Sequence, residues 1–562
     1  MGSRLIFLVL VCACNPARGE RRAVSAPITT TPDTVNGSTT GDASSGTQGT
    51  DLVPALDERV ALFDRLVAKA RSHGAYAPGL AAELGWGWEA DLARVRARFV
   101  AAGSTRALYE ALEMFANSLH NPHAEYEPPE RGDTLRLGLS FACEFHEGRP
   151  RFYVDAISDA TSAPEARAGH LVESYAGIPA ADLMRELSLF SSMNNQQALC
   201  HDVARLLGRR STSRSTADIG DPLALELRPR DGGAAYRLTT AWRLREAPGG
   251  GIHDQEQVDY HSPECGTLPG RSYPGGYALT DVGYNFCLYT SDKAPYRRYP
   301  IVRQFSFQYR RNARSEADIK QLVRVDRALL SHHLDEKRDV SAVILDLRDN
   351  GGGNNPNWFL DWWTPGRYMD QFLLLPRRPD LVAAGRLAQV GLSGAQADAY
   401  VALGGGQDGG PPIRLPAFTR DGKASWDNIY TPAHRVASAP VVLLTGWQCA
   451  STCEAFVNIM DEYDFAPIVG EPSMGGATML LEGVPVAFPD DPGDYGYLNL
   501  PFSQELSGRT GLVQEGRPCT VDLRIDRTFE NREHYDQMLV DAAIKISRSF
   551  HYQRGLAVPG QK

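Results

Sequence analysis

Three aliphatic runs limit the fold more than any other feature of this chain. They are Ala342-Val343-Ile344-Leu345-Asp346-Leu347, Pro440-Val441-Val442-Leu443-Leu444 and Ile468-Val469-Gly470. A strand with one face in water alternates apolar and polar residues, so an unbroken aliphatic run predicts a strand covered on both faces. Helical patterns accompany them, over Ala317 to His332 and roughly Thr452 to Asp464. Strands alternating with helices predict an α/β core around a largely parallel sheet. We assign that core to residues 299–550.

Upstream the pattern changes. Leu56, Val60, Phe63 and Val67, then Leu108, Leu112, Phe115 and Leu119, recur at helical spacing, so 53–130 reads as a helical region. It ends in Leu119-His120-Asn121-Pro122-His123-Ala124. Residues 134–245 turn strand-rich, with Leu137-Gly138-Leu139-Ser140-Phe141 and Arg151-Phe152-Tyr153-Val154. With Gly169 and the Ala176-Gly177-Ile178-Pro179 turn, this stretch resembles a PDZ domain. The resemblance implies that Leu137, Gly138, Leu139, Ser140 and Phe141 offer backbone amides to a peptide carboxylate. The alternative is a small β-domain that spaces two halves of the molecule. Residues 246–298 are rich in Gly, Pro and Tyr and read as an insertion with little regular structure.

The N-terminus reads as an address. Leu5 to Val11 is an apolar run too short to span a bilayer, and it suits the central part of an export signal. Val11-Cys12-Ala13-Cys14 resembles a bacterial lipobox, which implies a signal over 1–14 and lipidation of Cys14. Export without an anchor is the alternative. Residues 15–52 hold a Thr-, Ser- and Gly-rich stretch with few large apolar side chains, and read as a disordered tether. The chain is thus expected to be exported, facing the periplasm or the cell surface from a membrane, or else secreted. Seven cysteines then remain: Cys143, Cys200, Cys265, Cys287, Cys449, Cys453 and Cys519. Their odd number leaves at least one without an intramolecular partner. Cys265 with Cys287 is the first pair expected to bond, since it would clip the insertion. Cys449 and Cys453 share one helical face, but we read them as small residues packing a tight turn. A net charge of −10 argues against a nucleic-acid partner.

Four short segments carry the chemistry: Asp346-Leu347-Arg348-Asp349-Asn350-Gly351-Gly352-Gly353, Ala450-Ser451-Thr452-Cys453-Glu454, Val469-Gly470-Glu471-Pro472-Ser473-Met474-Gly475-Gly476, and Val513-Gln514-Glu515-Gly516 with Asp522. In this order they resemble the C-terminal-processing (tail-specific) and tricorn-type serine peptidases. The likeness covers roughly residues 55–545, with 246–298 unmatched. It implies a Clp/crotonase-like α/β core with an N-terminal helical region and an inserted PDZ-like domain.

The residues fit that reading. Ser451 lies between a buried strand and a helix start, where free amides and the helix dipole favour an oxyanion. The alternative is an ordinary serine N-cap. Tail-specific members carry a lysine at the position of Gly476, so a Ser–Lys dyad is absent here. The resemblance to the tricorn-type branch implies His123 as general base, with His120 its nearest rival, and Glu515 as the acid that orients it. Pro122 stands where that branch has serine. The oxyanion hole is expected to pair the amide of Thr452 with that of Gly352 or Gly353. Glu454 reads as a helix-start carboxylate. Two functions remain open. One is an endopeptidase that cleaves extended or unfolded polypeptides through an acyl-enzyme. The other is a catalytically degenerate binding protein on the same scaffold. No metal and no organic cofactor is expected. The expected partners are polypeptide substrates and, through Cys14, a membrane. The oligomeric state is left open, a homo-oligomer included.

Overall fold

In the computed structural model the described residues run from 53 to 553, apart from 75–84, 86, 131, 159–163, 214, 245–264, 266–272, 310–314, 335–338, 354, 393, 418–427, 490 and 492. The expected signal, Cys14 and the tether lie outside them.

The aliphatic runs form the centre of a seven-stranded sheet. Ile301–Arg303, Val343–Asp346, Val441–Thr445, Ile468–Gly470 and Leu523–Arg524 run parallel, in that order. Both faces are covered, as the runs demand. Val343, Leu345, Leu443 and Ile468 point into one cluster, with Phe359, Phe456 and Leu330 from the helices Asn357–Trp363, Thr452–Glu462 and Glu316–Leu334. Ile344, Val442, Leu444 and Val469 point the other way, onto Leu539, Val540 and Ala543 of the helix Tyr535–Gln553. Each such buried aliphatic contributes about 1.5–3 kcal/mol.

The 246–298 segment is more regular than expected. Ala278–Val282 and Cys287–Thr290 form an antiparallel hairpin that extends the core sheet at its Ile301–Arg303 edge. Phe286 and Leu288 are buried in the core, which is why this part of a Gly- and Tyr-rich stretch becomes strand. The disulfide Cys265–Cys287, the first pair expected to bond, clips it.

A second sheet is antiparallel and ordered Leu139–His146, Arg149–Ile157, Leu171–Tyr175, Pro222–Arg228, Tyr236–Ala241, with Ile178–Pro179 beside Leu171–Tyr175. The helix Gln196–Gly208 packs on it through Leu199, Val203 and Leu207. Residues Leu137–Phe141 are largely engaged within this unit. Leu139 to Phe141 already pair with the next strand. The Leu137 amide is donated to the Gly208 carbonyl at 3.3 Å. The disulfide Cys143–Cys200 ties this edge strand to the helix, with Cα atoms 5.6 Å apart. Adjacent strands stand about 4.8 Å apart, so that separation leaves no room there for an added peptide strand between them.

The N-terminal helices Leu56–His73, Trp88–Ala101 and Thr105–Asn117 form a third cluster, and it is not self-contained. Leu62, Phe99, Leu112 and Phe115 pack with Val486, Leu498 and Leu500 of the hairpin Leu481–Pro485/Tyr497–Pro501. The short strand Glu125–Glu127 joins that hairpin, Tyr126 opposite Leu498. The Tyr126 hydroxyl donates to the Tyr495 carbonyl at 2.8 Å. This docking brings the turn at residues 120–124 to the core. Among the described residues no helix is long and apolar enough to cross a membrane.

Candidate active site

The strand Val441–Thr445 ends at Gly446, and Ser451 immediately precedes the helix Thr452–Glu462. An N-cap serine normally has extended backbone and accepts a hydrogen bond from the first helical turn. Ser451 does neither: its φ is 56° and ψ −125°, and its side chain makes no cap bond. The ordinary-cap reading therefore fails on geometry. Non-glycine residues at such angles carry strain on the order of 1–3 kcal/mol and persist where the surroundings enforce them.

The glycine turn after Val343–Asp346 lies against the serine. A Cβ on Gly352 would stand 2.7 Å from Ser451 Cβ and 2.8 Å from the Thr452 nitrogen, so only glycine fits. Asn350 fastens the two segments. Its side-chain Nδ2 donates to the Gln304 carbonyl at 3.0 Å, its Oδ1 accepts the Gly352 amide at 2.9 Å, and its carbonyl accepts the Ala450 amide at 3.3 Å. The Gly352 amide, one of the two candidates for the second oxyanion donor beside Gly353, is thus already committed to Asn350. Thr452 Oγ1 donates to the Gly353 carbonyl at 2.9 Å, which sets Gly353 beside the helix start.

The segment 473–478 is the hub. Its Gly476 carbonyl accepts the Ser451 amide at 2.6 Å. A Cβ on Gly476 would lie 3.0 Å from Pro122 Cγ. The space a lysine side chain would leave through is therefore filled by the proline next to His123. His123 is 4% exposed, and its backbone amide donates to Asn121 Oδ1 at 3.0 Å. Burial holds its imidazole down at about 4. His120 is turned elsewhere, with Nε2 3.1 Å from Asp91 Oδ2 on the helix Trp88–Ala101.

Glu515 is buried, not an exposed loop residue. Oε2 accepts the Ala477 amide at 2.9 Å and the Thr478 hydroxyl at 2.7 Å, and Oε1 accepts Asn194 Nδ2 at 2.7 Å. Burial outweighs these donors and pushes its carboxyl up to about 7. Asn121 Nδ2 donates to the same Thr478 hydroxyl at 3.0 Å, so one hydroxyl links the His123 turn to Glu515. Glu454, in the first turn of the helix Thr452–Glu462, accepts the Ser473 hydroxyl at 2.6 Å and the Gly475 amide at 2.8 Å. Its carboxyl is raised to about 8 by burial. It is mainly protonated at neutral pH and acts as a brace.

The sequence did not reveal what the second sheet's helix contributes. Asn194 bridges Glu515 and the Gly475 carbonyl, the latter at 2.7 Å. Asn195 donates to the carbonyls of Ser473 at 3.1 Å and Met474 at 2.5 Å, while its Oδ1 caps the helix Gln196–Gly208. His201 stacks on Trp447, just before the serine turn, with ring centroids 5.3 Å apart. Of these, only the cap at Asn195 has a readable sequence signal. Among the described residues no group of three His, Cys, Asp or Glu side chains could hold a metal ion.

A strained serine at a helix start with a glycine turn pressed on it is an arrangement that a serine hydrolase can use. The family model of Peptidase family S41 matches residues 318–491, a stretch that holds both the glycine turn and Ser451. Over those residues the chain resembles the serine peptidases of that family. Among solved structures, mature CPAF is 16% identical, with a TM-score of 0.61 over 89% of this chain and 99% of that one. Mature CPAF complexed with lactacystin is 17% identical, with a TM-score of 0.58 over 88% and 99%. At these identities the likeness is one of fold. No curated protein matches the chain.

Proposed function

We propose that the chain is an exported serine endopeptidase that cleaves extended polypeptides through an acyl-enzyme. Ser451 is the nucleophile, His123 the general base and Glu515 the acid that steadies the imidazolium. The observation that carries this is the backbone of Ser451, held at φ 56° with its hydroxyl unused as a cap. Neutral His123 takes the serine proton as the hydroxyl attacks the substrate carbonyl, then returns it to the leaving amine. The amides of Thr452 and Gly353 receive the oxyanion. His123 is preferred over His120 because its neighbours Asn121 and Pro122 touch Thr478 and Gly476.

The core is Clp/crotonase-like, and the unit over 134–245 is PDZ-like. With its edge strand clipped to its helix, that unit serves the site through Asn194 and Asn195 rather than as an open carboxylate receptor. The N-terminal 14 residues direct export, and Cys14 anchors the mature chain to a membrane.

The test is turnover of an unfolded, fluorogenically labelled protein. Ser451→Ala and His123→Ala should each abolish it, and His120→Ala should leave most of it. Equal loss from the two histidine variants, or loss from His120→Ala alone, would overturn the choice of base.

A further inference from the structure

Cys449 and Cys453, expected only to pack a turn, are bonded to each other. Their Cα atoms are 5.4 Å apart, and both residues are fully buried. Ser451 stands midway between them in the chain. Cys449 precedes the turn, and Cys453 lies in the first turn of the helix Thr452–Glu462. The bridge therefore closes a ring around Ala450, Ser451 and Thr452.

What such a bridge does follows from its length. A disulfide restricts the unfolded chain more the longer the loop it closes. Cys143–Cys200 spans 57 residues and Cys265–Cys287 spans 22, whereas Cys449–Cys453 spans only 4. It is the least useful of the three as a staple for the whole fold. Its effect is local, and the local feature is a serine backbone that L residues rarely adopt. Hydrogen bonds also hold the turn: the Ala450 amide donates to the Asn350 carbonyl at 3.3 Å, the Cys449 amide to the Gly446 carbonyl at 2.9 Å and Thr452 Oγ1 to the Gly353 carbonyl at 2.9 Å. The Ser451 amide donates to Gly476, the Met474 amide donates to the Cys449 carbonyl at 2.8 Å, and the Cys453 amide donates to the Ala450 carbonyl at 3.0 Å.

Building on Ser451 as nucleophile, we propose that the Cys449–Cys453 disulfide is a positioning element of the active site. It holds the serine turn in its strained form, so that the hydroxyl and the Thr452 amide face the same substrate carbonyl. Without the bridge the turn relaxes toward an ordinary N-cap, in which the serine hydroxyl folds back onto the helix amides. The chain would then gain full activity only where disulfides persist.

The test removes each bridge from the full chain as a serine pair: C449S/C453S, C143S/C200S and C265S/C287S. Fluorophosphonate labelling rate, kcat, KM and melting temperature are read for each. C449S/C453S should lose at least tenfold in labelling rate and kcat while KM stays within about threefold and the melt stays cooperative. The other two pairs should lower the melting temperature more and keep the labelling rate of the folded protein. Labelling and kcat within about threefold of the native chain in C449S/C453S would overturn the proposal. Should that variant fail to fold, the native chain is titrated with a phosphine until this bridge opens. The phosphine becomes its oxide, water supplies the oxygen and two protons, and the disulfide becomes two thiols. Probe is then added, the thiols are alkylated, and the tryptic peptide from 436 to 509 is weighed, since it carries both cysteines and Ser451. Probe and alkylation should exclude one another. Both on one peptide at native yield would overturn the proposal. A native chain that no probe labels would instead remove the reading on which the proposal rests.

Discussion

At neutral pH the imidazole of His123 is unprotonated, because burial holds it at about 4. That is the form a general base needs. Burial raises Glu515 to about 7, so the carboxylate proposed to steady the imidazolium changes its state between roughly pH 6 and 8. Labelling of Ser451 should therefore accelerate as pH rises through that range. Asn194 donates to the charged form of Glu515. Asn194→Ala should raise that carboxyl further and move the acid limb up by about half a pH unit or more. A limb that stays in place would contradict the role given to Asn194. Stability carries a separate signature. The unfolded chain takes up a proton on His123 near its ordinary 6.5, whereas the folded chain does so only near 4. Stability from this group is therefore present above about pH 6.5 and lost as pH falls toward 4, on the order of 3 kcal/mol in all. His123→Asn should lose less melting temperature than the native chain between pH 7 and 4.5. Glu454 and Glu515 act in the opposite sense, but they are common to both proteins and drop out of the comparison. An equal loss in both would mean that His123 is not buried neutral.

Among the elements, the glycine turn and the serine helix make the tightest contact. Gly352→Ala would place a methyl 2.7 Å from Ser451 Cβ at a φ of 99°. We expect about 1–3 kcal/mol of lost stability and a loss in kcat larger than that loss would cause. Urea melts and steady-state kinetics on one preparation would show it, and unchanged kcat would mean that the serine turn is not set by this glycine. The sequence showed these elements because their signals are local: aliphatic runs, glycines after a strand, a serine before a helix. The observed strands over 343–346 and 468–470 fall within the expected runs, and the strand over 441–445 passes its run by one residue. What brings the site together is not local. Strand Glu125–Glu127, which follows the His123 turn, is held by pairing with residues 497–499, more than 350 positions downstream. Asn194 carries no pattern that marks it as a partner of Glu515. The commitment of the Gly352 amide to Asn350 depends on one side-chain rotamer. Cys449 and Cys453 share one helical face whether bonded or merely packed, so their spacing alone does not reveal the bond.

The whole molecule depends on distant segments meeting. Asn121 from the turn near 120, Asn194 and Asn195 before the helix at 196, and Glu515 meet on the segment 473–478, whose Gly476 carbonyl accepts the Ser451 amide. The structure suits an oxidising compartment: three disulfides form, and only Cys519 among the described cysteines is free, buried beside Ser473. Loss of Cys143–Cys200, the longest bridge, should cost about 2–4 kcal/mol. At the other end of the chain, Cys14→Ala should shift the protein from the membrane pellet to the soluble fraction on cell fractionation, and an unchanged pellet would contradict the lipid anchor. The central claim is that a strained Ser451 is a working nucleophile. The most direct measurement is fluorophosphonate labelling of the native chain, followed by mapping of the adduct. The account predicts a single stoichiometric adduct on Ser451, absent from Ser451→Ala and slowed at least a hundredfold in His123→Ala. A folded native chain that stays unlabelled, or an adduct on another residue, would contradict it.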